Sequence, residues 1–218
     1  KIWIKYPKNL RLYEEIKKKI NKYKEPINQT FSSEDIESFF KLENTGKILS
    51  VIEILKKHLH KNQNDVLTIS LLGNFYGLNK NYEKSIHFHK LSVEKAPFEL
   101  SFYLNLSESL RKVNKLEDSL SILIFAKLLS HTDVSIDYKI AKLHTLLKNF
   151  SKSDLIYKSL IKIKNINIRV IYSYCSNLIK LNKEDEAIKF IEEYELKNQT
   201  NDIFKSILGL AYFKKKDF

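Results

Sequence analysis

The sequence is poor in the residues that break or cross-link a chain: its 218 residues include four glycines, three prolines, one cysteine and no methionine. So few glycines and prolines disfavour a sandwich or barrel, which needs a turn about every ten residues. One cysteine cannot form an internal disulfide, so the expected compartment is the reducing cytoplasm. No apolar stretch approaches the roughly 18–20 residues that span a bilayer, and no signal peptide is visible.

What the sequence does contain is a repeat with a period of 34 residues. The repeated triplet occurs as Leu72-Gly73 with Tyr76, Leu106-Ser107 with Leu110, Ile140-Ala141 with His144, Tyr174-Cys175 with Leu178, and Leu208-Gly209 with Tyr212. A period of roughly 20–50 residues held in constant phase indicates a stacked-repeat architecture. The six units begin at Ser32, Val66, Leu100, Val134, Ile168 and Asp202.

The second unit shows how each repeat is expected to fold. Its first helix is predicted from about Val66 to Leu78, with an apolar face formed by Ile69, Leu72, Gly73 and Tyr76. Polar residues 79–81 break the helix, and a second helix is predicted from Tyr82 to Lys95, before Pro97. Small residues allow the helix axes to approach closely, and here they are Gly73, Ser85 and Ser92.

This pattern of Leu-Gly-x-x-Tyr, then a small residue, an aromatic residue, a small residue and proline, resembles the tetratricopeptide repeat. The resemblance covers residues 32–218, and Ala187 occupies the small position of the fifth unit. It implies an all-α fold, a right-handed α-solenoid of helical hairpins with an N-terminal capping segment. The first unit departs from the pattern, because Phe39 stands where a small residue is expected.

The two ends of the chain suggest a fragment. Residues 1–31 lie outside the repeat register and are predicted to form a short strand or extended piece followed by a helix over 9–23. They either cap the array or belong to a preceding domain. The array is predicted over 32–218 as five units and a truncated sixth, whose lone helix spans about 202–214. Because no methionine starts the chain and residue 218 falls inside a unit, we expect more protein on both sides.

The net charge of +12 is unevenly distributed along the chain. Residues 1–31 carry nine basic and three acidic side chains, and the unit from Val134 to Asn167 carries seven basic and two acidic ones. A solenoid that tracks nucleic acid needs a continuous basic stripe, since its affinity scales with the phosphates it neutralises. Nucleic acid is therefore not the expected partner.

In the tetratricopeptide family the first helices line the concave groove of the solenoid. Their outward positions here combine amide, cationic and aromatic groups, and the predicted peptide-binding residues are Asn74, Asn105, Tyr138, Lys139, Lys142, Arg169 and Tyr172. Amides can bond to a peptide backbone, and lysine or arginine to a carboxylate. Some family members clamp an acidic peptide terminus with such residues, although here Ser70 and Ser135 stand where further basic residues would be expected. The alternative is that these are ordinary solvated positions.

No catalytic, metal or cofactor site is predicted. The pairs His58/His60 and His87/His89 are spaced by two residues, which points their side chains to roughly opposite sides of a helix. His89 is expected in a core aromatic position. Cys175 occupies a small-residue position with no histidine placed to activate it, so burial should keep its thiol inert.

These observations favour a non-enzymatic scaffold that binds a peptide or protein segment in its concave groove. Lys139, Lys142 and Arg169 favour an acidic segment. One alternative is that the array recruits substrate for a larger enzyme such as a glycosyltransferase, because similar repeats accompany transferases. Another is self-association of the chain through its uncapped ends.

Overall fold

The computed structural model describes residues 31–43, 47–198 and 204–216 of the chain. Within these ranges the backbone forms eleven α-helices and no strand. In chain order the helices are α1 (Ser33–Glu43), α2 (Ile48–Lys61), α3 (Val66–Leu78), α4 (Tyr82–Lys95), α5 (Leu100–Lys112), α6 (Leu116–Leu129), α7 (Val134–Leu146), α8 (Phe150–Leu160), α9 (Ile168–Lys180), α10 (Glu184–Asn198) and α11 (Lys205–Lys216). The predicted all-α class of paired helices is confirmed.

The chain divides into two compact units, Lys1–His131 and Thr132–Phe218. In the first unit α3 packs on α4 and α5 packs on α6. The second unit repeats this pairing, with α7 on α8 and α9 on α10, and α11 packs against both α9 and α10. Each unit has its own apolar core, built in the first around Val51, Leu55, Leu72 and Phe75, and in the second around Tyr157, Ile171, Leu178, Ile191 and Phe204.

The α3–α4 hairpin follows the sequence prediction closely, since both helices begin and end at the predicted residues. The two helices meet where Gly73 faces the His89 ring. A Cβ atom at Gly73 would lie 2.5 Å from that ring, so only glycine lets the two helices approach this closely. His89 is 2% exposed, as expected for a core position.

The first helices begin at equivalent polar residues. Side chains of the residue before each helix accept hydrogen bonds from the backbone amides of the first turn of α3, α5, α7 and α9. Such N-caps satisfy amides that have no partner within the helix. The capping residues are spaced by one repeat and are Asp65, Glu99, Asp133 and Asn167.

The turns inside the hairpins also repeat. The residue that follows each first helix by two positions has a positive φ near 60°, in the left-handed region. These residues are Lys80, Asn114, Lys148 and Asn182, spaced again by one repeat. Asparagine tolerates this region and lysine adopts it rarely. The tertiary packing of the two helices therefore imposes the turn on both residue types.

The start of the described chain forms a capping box. The backbone amide of Asp35 donates to Ser32 Oγ at 3.0 Å, and the amide of Ser32 donates to Asp35 Oδ2 at 3.0 Å. Phe39, the departure from the repeat pattern, is buried and packs edge-on against Phe31 with ring centroids 5.3 Å apart. The strand and helix predicted within residues 1–30 lie outside the described residues, so the boundary at residue 31 stays a prediction.

The last helix begins later than predicted. Residues 201–203 are not among those described, and α11 begins at Lys205 rather than near residue 202. It is attached to the preceding hairpin by polar contacts as well as apolar ones. Lys214 Nζ donates to the Ile179 carbonyl and to Asn182 Oδ1, each at 2.8 Å. A lysine from α11 thus completes the hydrogen bonding at the C-terminal end of α9.

Candidate functional site

Two first helices of the second unit lie side by side and run parallel. Near their N-terminal ends, the Tyr138 hydroxyl on α7 donates to the Arg169 carbonyl at 3.3 Å and lies 3.1 Å from Ser173 Oγ on α9. Further along both helices, Thr145 Oγ1 donates to Asn177 Oδ1 at 3.2 Å. Because the two contacts occur in the same order along both helices, α7 and α9 point the same way.

The next pair of first helices is linked through an equivalent tyrosine. The Tyr172 hydroxyl on α9 lies 3.4 Å from Ser206 Oγ on α11. Tyr172 follows Tyr138 by one repeat, so the same position bridges α7 to α9 and α9 to α11. The three first helices of this unit therefore form one continuous layer.

The exposed surface of this layer is basic. Among α7, α9 and α11 the sequence places one acidic residue, Asp137. Lys139, Lys142 and Arg169 are exposed, and neither Lys139 nor Arg169 has an ion pair in the described part of the chain. Tyr138, Lys139, Lys142, Arg169 and Tyr172 together are called the basic face below. The structure brings these five predicted site residues together on neighbouring helices.

The two tyrosines of the basic face differ in accessibility. Tyr138 is half-buried, and the Lys142 ammonium lies 5.6 Å from the centre of its ring, in cation–π geometry. Its hydroxyl is engaged with α9. Tyr172 is 41% exposed. Tyr138 therefore contacts the Lys142 ammonium with its ring and links α7 to α9 through its hydroxyl, whereas the ring of Tyr172 is exposed to solvent.

The other two predicted site residues lie in the first unit. Asn74 on α3 and Asn105 on α5 are half-buried. Ser70, expected to face outward, is 5% exposed and belongs to the interior of the unit. The reason is that α3 contains no charged residue and is apolar on all sides, so most of its surface packs against neighbours.

Behind the basic face, acidic residues are concentrated on one of the second helices of the same unit, α10. Helix α10 contains six, of which Asp185 pairs with Lys215, Glu186 pairs with Lys183 at 2.7 Å, and Glu192 accepts from Tyr212 at 3.4 Å. The second unit therefore separates charge between its first helices and α10, whereas α8 carries two lysines and one aspartate. The first helices are basic and α10 is acidic.

The hairpins also contain buried hydroxyl groups that the sequence reasoning did not identify as a set. Ser119 Oγ donates to the Ser107 carbonyl at 2.7 Å, and Ser153 Oγ donates to the Ala141 carbonyl at 2.9 Å. The donors are one repeat apart, and so are the acceptors. A serine at this small position thus closes the hairpin with a hydrogen bond as well as permitting close packing.

Asn177 extends this arrangement in the second unit. Its side chain is fully buried, donates to the Phe150 carbonyl at 3.0 Å and accepts from Thr145. Thr145 in turn lies 2.6 Å from Ser153 Oγ. The asparagine therefore connects α9 to both helices of the preceding hairpin, with its donor and acceptor atoms satisfied.

The cysteine and the buried histidine have the properties expected of packed residues. Cys175 is fully buried, and burial raises the pKa of its thiol to about 12, which keeps it protonated and unreactive. Burial lowers the pKa of His89 to about 4, so its ring is neutral at pH 7. Among the described residues, no group of three His, Cys, Asp or Glu side chains could hold a metal ion. None of the described helices is long and apolar enough to cross a membrane.

These features define a layered array of helical hairpins, and the chain has the fold of tetratricopeptide-repeat proteins. A tetratricopeptide-repeat protein from Parabacteroides merdae matches it with a TM-score of 0.72 and 13% sequence identity, over 83% of this chain and 72% of that one. The crystal structure of MamA matches with a TM-score of 0.62 and 20% identity, over 82% of this chain and 95% of MamA.

A thermophilic tetratricopeptide-repeat protein of Thermus thermophilus is also similar. Its TM-score is 0.59 at 15% identity, and the match covers 81% of this chain and 96% of that one. No protein-family model matches the sequence, and a search of curated proteins finds no match. The predicted resemblance is therefore confirmed in the fold.

Proposed function

We propose that the chain is a protein-binding module and that its basic face holds an acidic, extended segment of a partner protein. The observation that carries this proposal is the separation of charge in the second unit. Lys139, Lys142 and Arg169 are exposed on first helices that contain a single acidic residue. Carboxylates are the complementary groups, and lysine and arginine bond to them with charge-assisted hydrogen bonds.

The rigidity of the layer supports the same proposal. Tyr138 and Asn177 tie α7, α8 and α9 together through hydrogen bonds, so the cations project from a fixed surface. A receptor that is already ordered loses little conformational entropy on binding. The ordering cost then falls mainly on the partner segment.

The test is charge reversal on the basic face. The probe is a fluorescein-labelled twelve-residue peptide with four glutamates, compared with a peptide in which glutamines replace them. The double variant Lys139→Glu/Arg169→Glu should weaken binding of the acidic probe by about 1–3 kcal/mol, because hydrogen bonds to charged groups are lost. Fluorescence anisotropy at low salt measures the dissociation constant.

A matched control carries the same change in net charge elsewhere in the unit. Lys152 on α8 and Lys162, which follows α8, are both exposed and outside the basic face. The variant Lys152→Glu/Lys162→Glu should bind the acidic probe within about twofold of the parent chain. Equal losses in the two double variants would mean that only net charge matters. Unchanged binding in Lys139→Glu/Arg169→Glu would reject the basic face as the site.

A further inference from the structure

We propose that a cleft in the first unit, between α2 and α4, binds a small aromatic carboxylate. Leu59, Leu72 and Phe88 form the surface for its rings, and Lys56 and His60 hold its carboxylate. This inference does not depend on the basic face, which lies in the second unit. It follows from the volume of the cleft, the fixed position of its aromatic wall and the chemistry of its rim.

The cleft lies over α3, which packs against both α2 and α4. Its lining comes from α2, the residue two positions after α2, α3 and α4, and consists of Lys56, Leu59, His60, Gln63, Leu72 and Phe88. The cleft is open to solvent and has a volume of about 300 Å³. Ligand pockets in proteins begin at about this size, and a cavity of about 150 Å³ already holds benzene. The cleft therefore has room for a single ligand with two fused rings.

The aromatic wall of the cleft is held in place by its neighbours. The Phe88 ring stacks on Tyr76, with centroids 5.4 Å apart and an angle of 6° between the planes. Leu72, at the base of the cleft, is fully buried. Aromatic rings pack on one another in offset or edge-on contacts, and a wall that is already ordered loses little entropy when a ligand ring meets it.

The polar groups on the rim favour an anion. Among the described residues, those that line the cleft supply an ammonium, an imidazole and a carboxamide, from Lys56, His60 and Gln63, and no carboxylate. Lys56 Nζ donates to Glu53 Oε1 at 2.8 Å, but an ammonium has three donors and can bond to a second carboxylate. Charge-assisted hydrogen bonds of this kind are stronger than those between neutral groups. Donors beside an apolar surface match a ring that carries a carboxylate.

The equivalent groove one repeat later has a different lining. There, Lys56, Leu59, His60, Gln63 and Phe88 are replaced by Lys90, Val93, Glu94, Pro97 and Ile122. Glu94 brings a negative charge to the position of His60, and Ile122 removes the aromatic wall. The combination of a ring with cationic and neutral donors therefore belongs to the first cleft, and the next groove supplies a matched control.

The test is a titration of the full 218-residue chain with 2-naphthoate, followed in proton–nitrogen correlation spectra. A ligand of this size in an open cleft should bind with a dissociation constant of about 0.1–1 mM. The largest shifts are expected at residues 56–63 and 88. The neutral analogue 2-naphthamide should bind at least about threefold more weakly, because it cannot form charge-assisted hydrogen bonds. Acetate, which has no ring, should cause no shift at these residues.

Single variants test the assignment of the lining residues. Lys56→Gln should weaken binding of 2-naphthoate at least about threefold, because the ammonium is lost. Glu53→Gln should tighten it about twofold, since Glu53 competes with the ligand for Lys56. Phe88→Ile should weaken it at least about threefold, and isoleucine at the equivalent position of later hairpins shows that the fold accepts this side chain. The control Lys90→Gln changes the equivalent lysine of the next groove and should leave the affinity as it is.

The outcomes separate this site from the basic face. If 2-naphthoate causes no shifts, or binds no more tightly than 2-naphthamide, the proposal is wrong. Equal losses in Lys56→Gln and Lys90→Gln would also reject it. If the shifts fall on α7 and α9 and disappear in Lys139→Glu/Arg169→Glu, the ligand binds to the basic face and the cleft is not its site. The proposed function is decided separately, by the acidic peptide.

Discussion

The two units of the molecule are built on the same 34-residue frame but use it for different chemistry. In the first unit, α3 carries no charge and its hairpin closes around Gly73 and a buried, neutral His89. In the second unit, the position equivalent to His89 holds Tyr157, and the first helices display cations to solvent. Backbone caps and turns fall at the same positions in both units.

The difference shows which positions the repeat constrains. Helix starts, hairpin turns and the small positions where helices meet are occupied by equivalent groups, because each hairpin must satisfy the same backbone and packing demands. Positions that face solvent escape this demand. They are therefore free to differ from one repeat to the next, and the cations of the proposed binding site belong to this variable set.

The largest expected effect compares one position in the two units. Asn177 in the second unit and Ser109 in the first are two repeats apart and both buried. Asn177→Ala should cost about 2–3 kcal/mol of unfolding free energy, because it removes the hydrogen bonds to the Phe150 carbonyl and from Thr145 and leaves a cavity in place of the buried amide. Ser109→Ala removes one bond to Ser85 and should cost about 1 kcal/mol.

Urea denaturation of the two variants at pH 7 measures this difference. Equal losses would show that the wider network around Asn177 adds nothing to the stability of the second unit. The variant Asn177→Leu, in which the amide is removed and the volume is roughly kept without a charge, separates the loss of the hydrogen bonds from the loss of packing.

The next effect concerns pH. The pKa of His89 is lowered by burial to about 4, below its value of 6.5 in the unfolded chain. The unfolded state therefore binds the proton first, so the contribution of His89 is complete above pH 6.5 and is lost as pH falls towards 4. Between pH 7 and pH 5 this residue should reduce the unfolding free energy by about 2 kcal/mol.

The variant His89→Leu isolates this contribution. Leu55 and Leu123 fill the equivalent position in neighbouring hairpins, so leucine is compatible with the site. The variant should lose less stability than the parent chain between pH 7 and pH 5 in urea denaturation. The exposed neighbour His87, changed to Gln, should leave the pH dependence as it is. If the unfolding free energies of the parent chain and of His89→Leu fall equally between pH 7 and pH 5, His89 is not the source of the pH dependence.

The smallest effect compares two glycines four repeats apart. Gly73→Ala should cost about 1–2 kcal/mol, because the added Cβ meets the His89 ring at 2.5 Å. Gly209→Ala should instead stabilise the chain by about 0.5–1 kcal/mol, since no neighbouring atom lies within 4 Å and alanine favours the helix.

Thermal unfolding of both glycine variants, and of Gly73→Ala in a His89→Ala background, tests this contrast. Removing the ring should relieve most of the cost at Gly73, because the two residues are in contact. If Gly73→Ala still destabilises the chain by the same amount in the His89→Ala background, the destabilisation does not come from contact with the His89 ring.

Much of the fold could be predicted from the sequence because the determining signals are local and repeated. The bounds of α3 and α4 follow from apolar spacing, a polar break and Pro97, and the structure has the predicted end residues. The buried state of His89 and Cys175 also follows from their positions in the register. The N-caps at Asp65, Glu99, Asp133 and Asn167 were not predicted, although a polar residue before each unit is a signal that the sequence contains.

The parts that could not be predicted depend on contacts between helices. Ser70 was expected to face outward and is buried, because the neighbours of α3 cover more of its surface than the repeat pattern indicates. The hydrogen bond from the Tyr138 hydroxyl to α9 was not predicted either, because it depends on how successive hairpins pack. The contact between Asn177 and Phe150 cannot be inferred from the repeat pattern, because it depends on how successive hairpins stack.

The recurrence of caps and turns at the same register has a consequence for how such a chain can change length. Each hairpin carries its own start signal at Asp65, Glu99, Asp133 or Asn167 and its own internal turn. If a segment of one whole repeat is duplicated or deleted, each hairpin next to the junction still has its own N-cap and its own turn. This holds whichever residue the junction falls on. Gene duplication can therefore lengthen the protein in discrete steps and add new solvent-facing surface with each one.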